Sequence, residues 1–221
     1  MENQDEGRYL GEPKSFDRLQ CKCAARQRAQ IPVEASVILF VGGLAPHKNL
    51  SGFLDGFEKS LGSACMRHVH LALIGDLKGA GFFSNYNILY AKVKASPLLA
   101  SKVHFCGYVS DEDLVALYSS AFAVTMPSYS EGFGLPAIEA MACGAPVLAS
   151  DRGSLPEVIG DAGIYFDPFD IESMSKAIIE MADNPRLRRQ LSRNALVRAK
   201  TFTWQNAAQA TLTYLEAMTK K

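Results

Sequence analysis

AFAVTMPSYSEGFGLPAIEAMACGAPVLAS (residues 121–150) contains one complete strand–loop–helix–strand unit. AFAVTMP is a short apolar run stopped by Pro127, as expected of a strand buried on both faces. A glycine-bearing loop follows, then an apolar helix in LPAIEAMACG, then a second apolar strand in APVLAS. Strand, helix and strand in that order read as a βαβ unit, which places the two strands parallel in one sheet.

The same grammar extends in both directions. Upstream, VILFVGG (37–43), VHLALIG (69–75) and VHFCG (103–107) are apolar runs, each closed by glycine. Between the first two lies a helix through GFLDGFEKSL, with Leu50, Phe53, Leu54, Phe57 and Leu61 at helical spacing. A loop, GDLKGAGFFSN, leads into a helix around residues 85–95, and Ser110 with Asp113 resembles a capping box opening DEDLVALYSSA. Downstream come a short turn in SLPEVIG, a strand in AGIYFDP, and helical segments over roughly 170–183, 185–201 and 204–219. The expected fold is α/β: a doubly wound, Rossmann-like parallel sheet with helices on both faces. Three parts are expected along the chain: a polar tail or remnant of a preceding segment over 1–30, the Rossmann-like domain over 31–201, and an amphipathic helix over 202–221. In that helix Trp204, Ala208, Leu212, Leu215 and Met218 form an apolar stripe.

Composition narrows the function classes. The chain has 221 residues, 48% of them apolar, and 23 Lys+Arg balance 23 Asp+Glu. A nucleic-acid binder normally shows a basic excess, so no nucleic-acid partner is expected. No apolar run approaches the ~20 residues of a transmembrane span, and the polar, acidic N-terminus lacks a signal peptide's apolar stretch. Cys21, Cys23, Cys65, Cys106 and Cys143 form no paired framework, and no CxxC or histidine cluster completes a metal site. These features predict a cytoplasmic protein without a metal.

In doubly wound sheets ligands bind beyond the carboxyl ends of the strands, where strand order reverses. The loop after the fourth strand carries Glu131, and Gly132 and Gly134 let a ligand approach its backbone. The next helix starts near Leu135–Pro136, and its free N–H groups make an anion site. Glu139 stands within its first turn and a half, where a carboxylate can accept from both hydroxyls of a cis-diol. The plainer alternative is a glycine turn with two glutamates stabilising a helix start.

EGFGLPAIE, with seven residues between its two glutamates, resembles the paired-glutamate motif of glycosyltransferase family 4, the retaining glycosyltransferases of GT-B fold. VGGLAPHKNLSGFLDGF, FCGYVSDEDLVALYSSA and ACGAPVLASDRGSLPEVIGDAGIYFDP resemble that family's successive segments in order, as does the late FTW. The likeness covers roughly residues 33–215 and is closest in kind to group 1, mannosyltransferase-like enzymes. It implies one half of a GT-B fold, the half that binds a nucleotide-diphosphate sugar as donor substrate, with no cofactor.

Residue by residue, the resemblance implies that Glu139 holds the ribose and that Glu131 lies beside the donor sugar. It implies that backbone N–H groups of Gly132, Phe133, Gly134 and Leu135 cradle the sugar and diphosphate, and that Lys48 neutralises the leaving diphosphate. Gly42 and Gly43 let the first loop pass close to the phosphates, His47 stands beside Lys48, and Tyr108 and Val109 lie where the base packs. The family commonly has an arginine where this chain has Gly43, and His47 or Arg152 are the expected substitutes. The implied partners are an acceptor-binding N-terminal domain or partner subunit, and a homo-oligomer is a further expectation. Alone, the half is expected to be inactive. The rival expectation is a non-catalytic nucleotide-sugar binding or scaffolding module that pairs with another chain.

Overall fold

Six short strands, β1 (Ser36–Val41), β2 (Val69–Ile74), β3 (Val103–Gly107), β4 (Ala123–Met126), β5 (Val147–Ser150) and β6 (Gly163–Phe166), form one sheet in the computed structural model. The structure describes residues 15–76 and 84–219. The strands run in the order β3-β2-β1-β4-β5-β6 and every pairing is parallel. Chain order therefore reverses between β1 and β4, which pair through Ile38↔Ala123 and Leu39↔Val124. The crevice above that pair is the expected ligand position.

Side chains alternate across the sheet and feed two helical layers. Ile38, Phe40, Leu71 and Leu73 pack with Phe53 and Phe57 of α2 (Leu50–Ser60) and with Met174 and Ile178 of α8 (Ile171–Asp183). Val37, Leu39, Ala72 and Ile74 pack on the other face with Leu117 and Tyr118 of α5 (Asp111–Ser120) and Ala140 of α6 (Leu135–Ala142). Ser110 caps α5 as its spacing predicts, its hydroxyl accepting from Asp113 N–H at 3.2 Å.

Two local expectations are corrected. Within the stretch expected to be a polar tail, Ser15–Arg28 form a helix, α1, whose far end docks on α5. Among the described side chains the buried ones are small, Ala25 within the helix and Ala29 just past its end, followed by Ile31, so the chain shows little apolar periodicity there. Polar anchoring supplies the rest: Arg26 donates to the carbonyls of Val33 (2.7 Å), Ala35 (2.8 Å) and Ser120 (2.8 Å), and Arg28 pairs with Asp113. The helix expected around 85–95 is α3 (Tyr86–Ala95), and a separate α4 (Pro97–Lys102) follows it. Pro97 forbids continuation of α3 and opens α4, which Ser96 caps. SLPEVIG, expected as a turn, holds α7 (Leu155–Ile159). Part of the expected GDLKGAGFFSN loop, residues 77–83, lies outside the described residues.

The chain closes with α9 (Pro185–Ala199) and α10 (Trp204–Thr219). None of α10 is buried, and Leu212, Leu215 and Met218 of its apolar stripe are exposed. Among the described residues no helix is long and apolar enough to cross a membrane.

The sheet edge carries a titratable pair. His70 Nδ1 and His104 Nε2 are hydrogen-bonded at 2.9 Å, with Lys102 Nζ 3.4 Å from His70 Nε2. Burial, reinforced by the Lys102 ammonium, pushes His70 down to about 4. In the unfolded chain the same imidazole titrates near ~6.5. Between those values the unfolded state binds more protons, so stability rises with pH through the window and is lost as pH falls from about 6.5 toward 4. Denaturant unfolding at pH 7 and pH 4.5 is expected to show a smaller loss for His70→Gln than for the native chain; equal losses would refute this.

Candidate functional site

The loops that leave β1, β2 and β3 are stitched together at the carboxyl edge of the sheet. Gly42 N–H donates to Ile74 O, and Gly75 N–H donates to Gly107 O, each at 2.9 Å. Gly75 has φ +131, and a Cβ there would stand 2.7 Å from the Gly42 carbonyl oxygen. Beyond Gly43 the first loop makes a single 3₁₀ turn, Pro46–Lys48, that presents His47 and Lys48. Asn49 ends the turn in a left-handed conformation (φ 51), and its buried amide donates to Pro168 O at 2.7 Å.

The loop leaving β4 meets this turn across the switch point. Tyr129 N–H donates to His47 O at 2.9 Å. Tyr129 also stacks on Phe169, ring centroids 4.7 Å apart, from the loop after β6. Two residues on, Glu131 Oε1 receives two bonds of 2.6 Å, one from Lys48 Nζ and one from Ser128 Oγ. The Glu131 side chain is 11% exposed, that of Lys48 20%, and Ser128 is fully buried. Ser154 Oγ fixes the Glu131 carbonyl at 3.0 Å. Glu131 is therefore held at both its side chain and its main chain, and sharing one carboxylate oxygen between an ammonium and a hydroxyl keeps its rotamer single.

Helix α6 starts at the end of this loop. Gly134 precedes it with φ 87, and a Cβ there would stand 2.9 Å from Leu155 Cδ2, so glycine alone fits. No side chain caps α6 and no acidic residue lies in its first turn. Gly132, Phe133 and Leu135 are exposed around that start, Phe133 meeting Phe202 edge-on at 5.9 Å. Glu139 is exposed one turn along, and its Oε2 accepts from the Tyr118 hydroxyl at 3.1 Å.

The remaining expected site residues are dispersed around this centre. Tyr108, 81% exposed, lines a cavity of about 510 Å³ with Gly75, Asp76, Tyr86, Phe105 and Gly107, at the carboxyl ends of β2 and β3. Val109 instead packs against the core beside α5. His47 is exposed on the 3₁₀ turn, and Gly43 has no atom within 4 Å of where its Cβ would be. Arg152, expected as one substitute for the arginine absent at Gly43, pairs with Asp151 (3.0 Å) and Asp167 (3.2 Å). Asp111 and Asp113, at Asp-x-Asp spacing, stand in the first turn of α5, where Asp113 pairs with Arg28.

Two contributors went unnoticed in the sequence. Ser128 sits three residues before Glu131, so the stretch PSYSE carried a usable signal. Tyr118 carried none, because on an apolar helix face it reads as core.

Residues 22–198 match the family model described as glycosyl transferases group 1. The chain belongs to this family. It is 35% identical over 174 residues to the O-antigen chain mannosyltransferase B of Escherichia coli, covering 79% of this chain and 44% of that protein. Sucrose-phosphate synthase from Thermosynechococcus elongatus superposes with a TM-score of 0.74 at 28% identity, covering 89% of this chain and 49% of that one. The Anabaena protein HepE, solved with UDP and glucose, superposes at 0.75 with 23% identity, covering 92% of this chain and 53% of that one. This group 1 glycosyl transferase chain thus spans about half the length of the relatives it matches. Its matched region contains Lys48, Glu131, Glu139 and the uncapped start of α6.

Proposed function

We propose that this chain is the donor half of a retaining glycosyltransferase and binds a nucleotide-diphosphate sugar between the loops after β1 and β4. The observation that carries this reading is the Lys48–Glu131 pair, 2.6 Å apart at the strand-order reversal and beside the uncapped N-terminus of α6. An ammonium and a ring of backbone N–H groups suit a diphosphate, and a carboxylate beside them suits sugar hydroxyls.

In this reading Lys48 stabilises charge developing on the departing diphosphate, an electrostatic effect of the kind worth ~3–4 kcal/mol. The N–H groups of Gly132, Phe133, Gly134 and Leu135 hold the sugar and diphosphate, while Gly42, Gly43 and His47 border the phosphates. Glu131 accepts from donor-sugar hydroxyls beside the anomeric carbon, Glu139 takes the ribose, and Tyr108 with Val109 borders the base. The acceptor hydroxyl attacks from the face the diphosphate leaves, which retains configuration, and the departing phosphate takes its proton. The acceptor comes from a further domain or partner subunit, so the isolated half is inactive. Five free cysteines fit a reducing compartment, and we place the reaction in the cytoplasm.

Calorimetric titration with UDP, GDP and their sugars tests the assignment. Glu139→Ala is expected to weaken nucleoside diphosphates about tenfold, the scale of a lost hydrogen bond to a charged group. Glu131→Ala is expected to spare the free nucleotide within about twofold while weakening the intact sugar donor by a similar tenfold. Absence of binding to any nucleoside diphosphate would refute the donor reading. Binding without transfer beside a competent acceptor half would favour the non-catalytic module.

A further inference from the structure

We infer that Tyr118 is a positioning residue, whose hydroxyl holds Glu139 so that the carboxylate grips both ribose hydroxyls and the site selects ribonucleotides over deoxyribonucleotides. The inference rests on the donor-binding reading above and extends it to a residue that touches no ligand.

Glu139 is exposed on α6, and an exposed glutamate samples many rotamers that must be given up when it binds a diol. Tyr118 removes that freedom in advance. It reaches across from α5, its ring packed among Leu117 and Ala140 and only 2% exposed, so its hydroxyl has little freedom of its own. That hydroxyl lies 3.1 Å from Glu139 Oε2. Burial, with the Glu139 carboxylate adding to it, pushes the Tyr118 hydroxyl well above the usual phenol range, so it stays a donor. Cys143, one turn beyond Glu139, is pushed up as well, chiefly by burial, and brings no competing charge.

The geometry leaves capacity for the ligand. A carboxylate offers about four acceptor positions, and Tyr118 occupies one of them. Oε1 and the second lone pair of Oε2 can accept from vicinal hydroxyls, whereas a nucleotide lacking them gains nothing from the fixed orientation. A buried tyrosine also needs some partner for its hydroxyl, so the alternative is that Glu139 merely satisfies Tyr118. The two readings differ in which variant effects depend on the ribose.

The test uses Tyr118→Phe, which keeps the ring and hence the packing, with UDP and GDP each compared with its 2′,3′-dideoxy counterpart by calorimetry. The native chain is expected to favour the ribonucleotide by about tenfold or more, the scale of an unmade bond to a charged group. Tyr118→Phe is expected to weaken ribonucleotides about three- to tenfold, as the same principle allows, and dideoxynucleotides less than about twofold. In a Glu139→Gln background the same change is expected to add nothing further, as in a coupled pair. Equal weakening of both nucleotide classes, or no weakening, would overturn the positioning role while leaving the donor reading intact. If the native chain binds no nucleoside diphosphate, both fall.

Discussion

Lys48→Met is expected to weaken nucleoside-diphosphate binding by about 10- to 100-fold, matching the ~1.5–3 kcal/mol of a charge-assisted hydrogen bond. The effect has two parts. The ammonium that would face the phosphates is lost, and Glu131, with its side chain 11% exposed, keeps Ser128 as a neighbour while losing its cation. An uncompensated carboxylate then repels the ligand it formerly shared a cation with. Lys48→Met with Glu131→Gln should therefore bind nucleotide more tightly than Lys48→Met alone. With a complete acceptor half present, transfer is expected to fall by about 10²–10³, as when one donor of a charge-stabilising site is removed. Titration of the three variants with one nucleotide checks the binding claims, and unchanged affinity in Lys48→Met would sink the assignment of this lysine to the diphosphate.

Gly75→Ala is expected to destabilise the fold severely for so small a substitution. The added carbon would stand 2.7 Å from the Gly42 carbonyl oxygen, 3.0 Å from its carbon and 3.2 Å from its nitrogen. All three are backbone atoms, so no side chain can swing aside. The conformation (φ +131) is itself foreign to residues with a Cβ. Strain and overpacking of ~1–3 kcal/mol each give a loss of about 3 kcal/mol or more. For a chain of this size that lowers Tm by about 6–12 °C. Gly62, whose added Cβ would meet nothing closer than 3.8 Å and whose φ is ordinary, supplies the control. Gly62→Ala should stay within about 0.5 kcal/mol of the native chain. Thermal unfolding of both variants decides the matter, and similar Tm values would remove the close approach as its cause. Because Gly42 borders the proposed phosphate site, nucleotide binding by Gly75→Ala should suffer as well.

These two positions also show what could be read from the chain alone. The parallel sheet was legible because VILFVGG, VHLALIG and AFAVTMP are short apolar runs ended by glycine or proline, a pattern open to few other folds. Glu131 and Glu139 were legible because their spacing surrounds a glycine loop and a proline-started helix. Tyr118 was not, since its hydroxyl matters only through a partner 21 residues away, supplied by a different helix. The pairing of Arg152 was hidden for a similar reason: Asp167, which engages it, comes from the end of another strand. Gly75 could be read as a strand terminator, but its contact with Gly42 exists only once β1 and β2 lie side by side.

Helix α1 gives the proposed ribose site an unexpected foundation. Ala25 and Ala29 share a packed cluster with Leu117 and Tyr118, while Arg26 ties the same segment to the end of α5. Glu139 is thus braced by Tyr118, and Tyr118 is backed by a stretch that on its face resembles dispensable leader. A version trimmed to begin at Ile31 would keep every motif residue and lose the buttress behind one of them. For this chain, the smallest piece that carries the motif is shorter than the smallest piece that carries its stiffness.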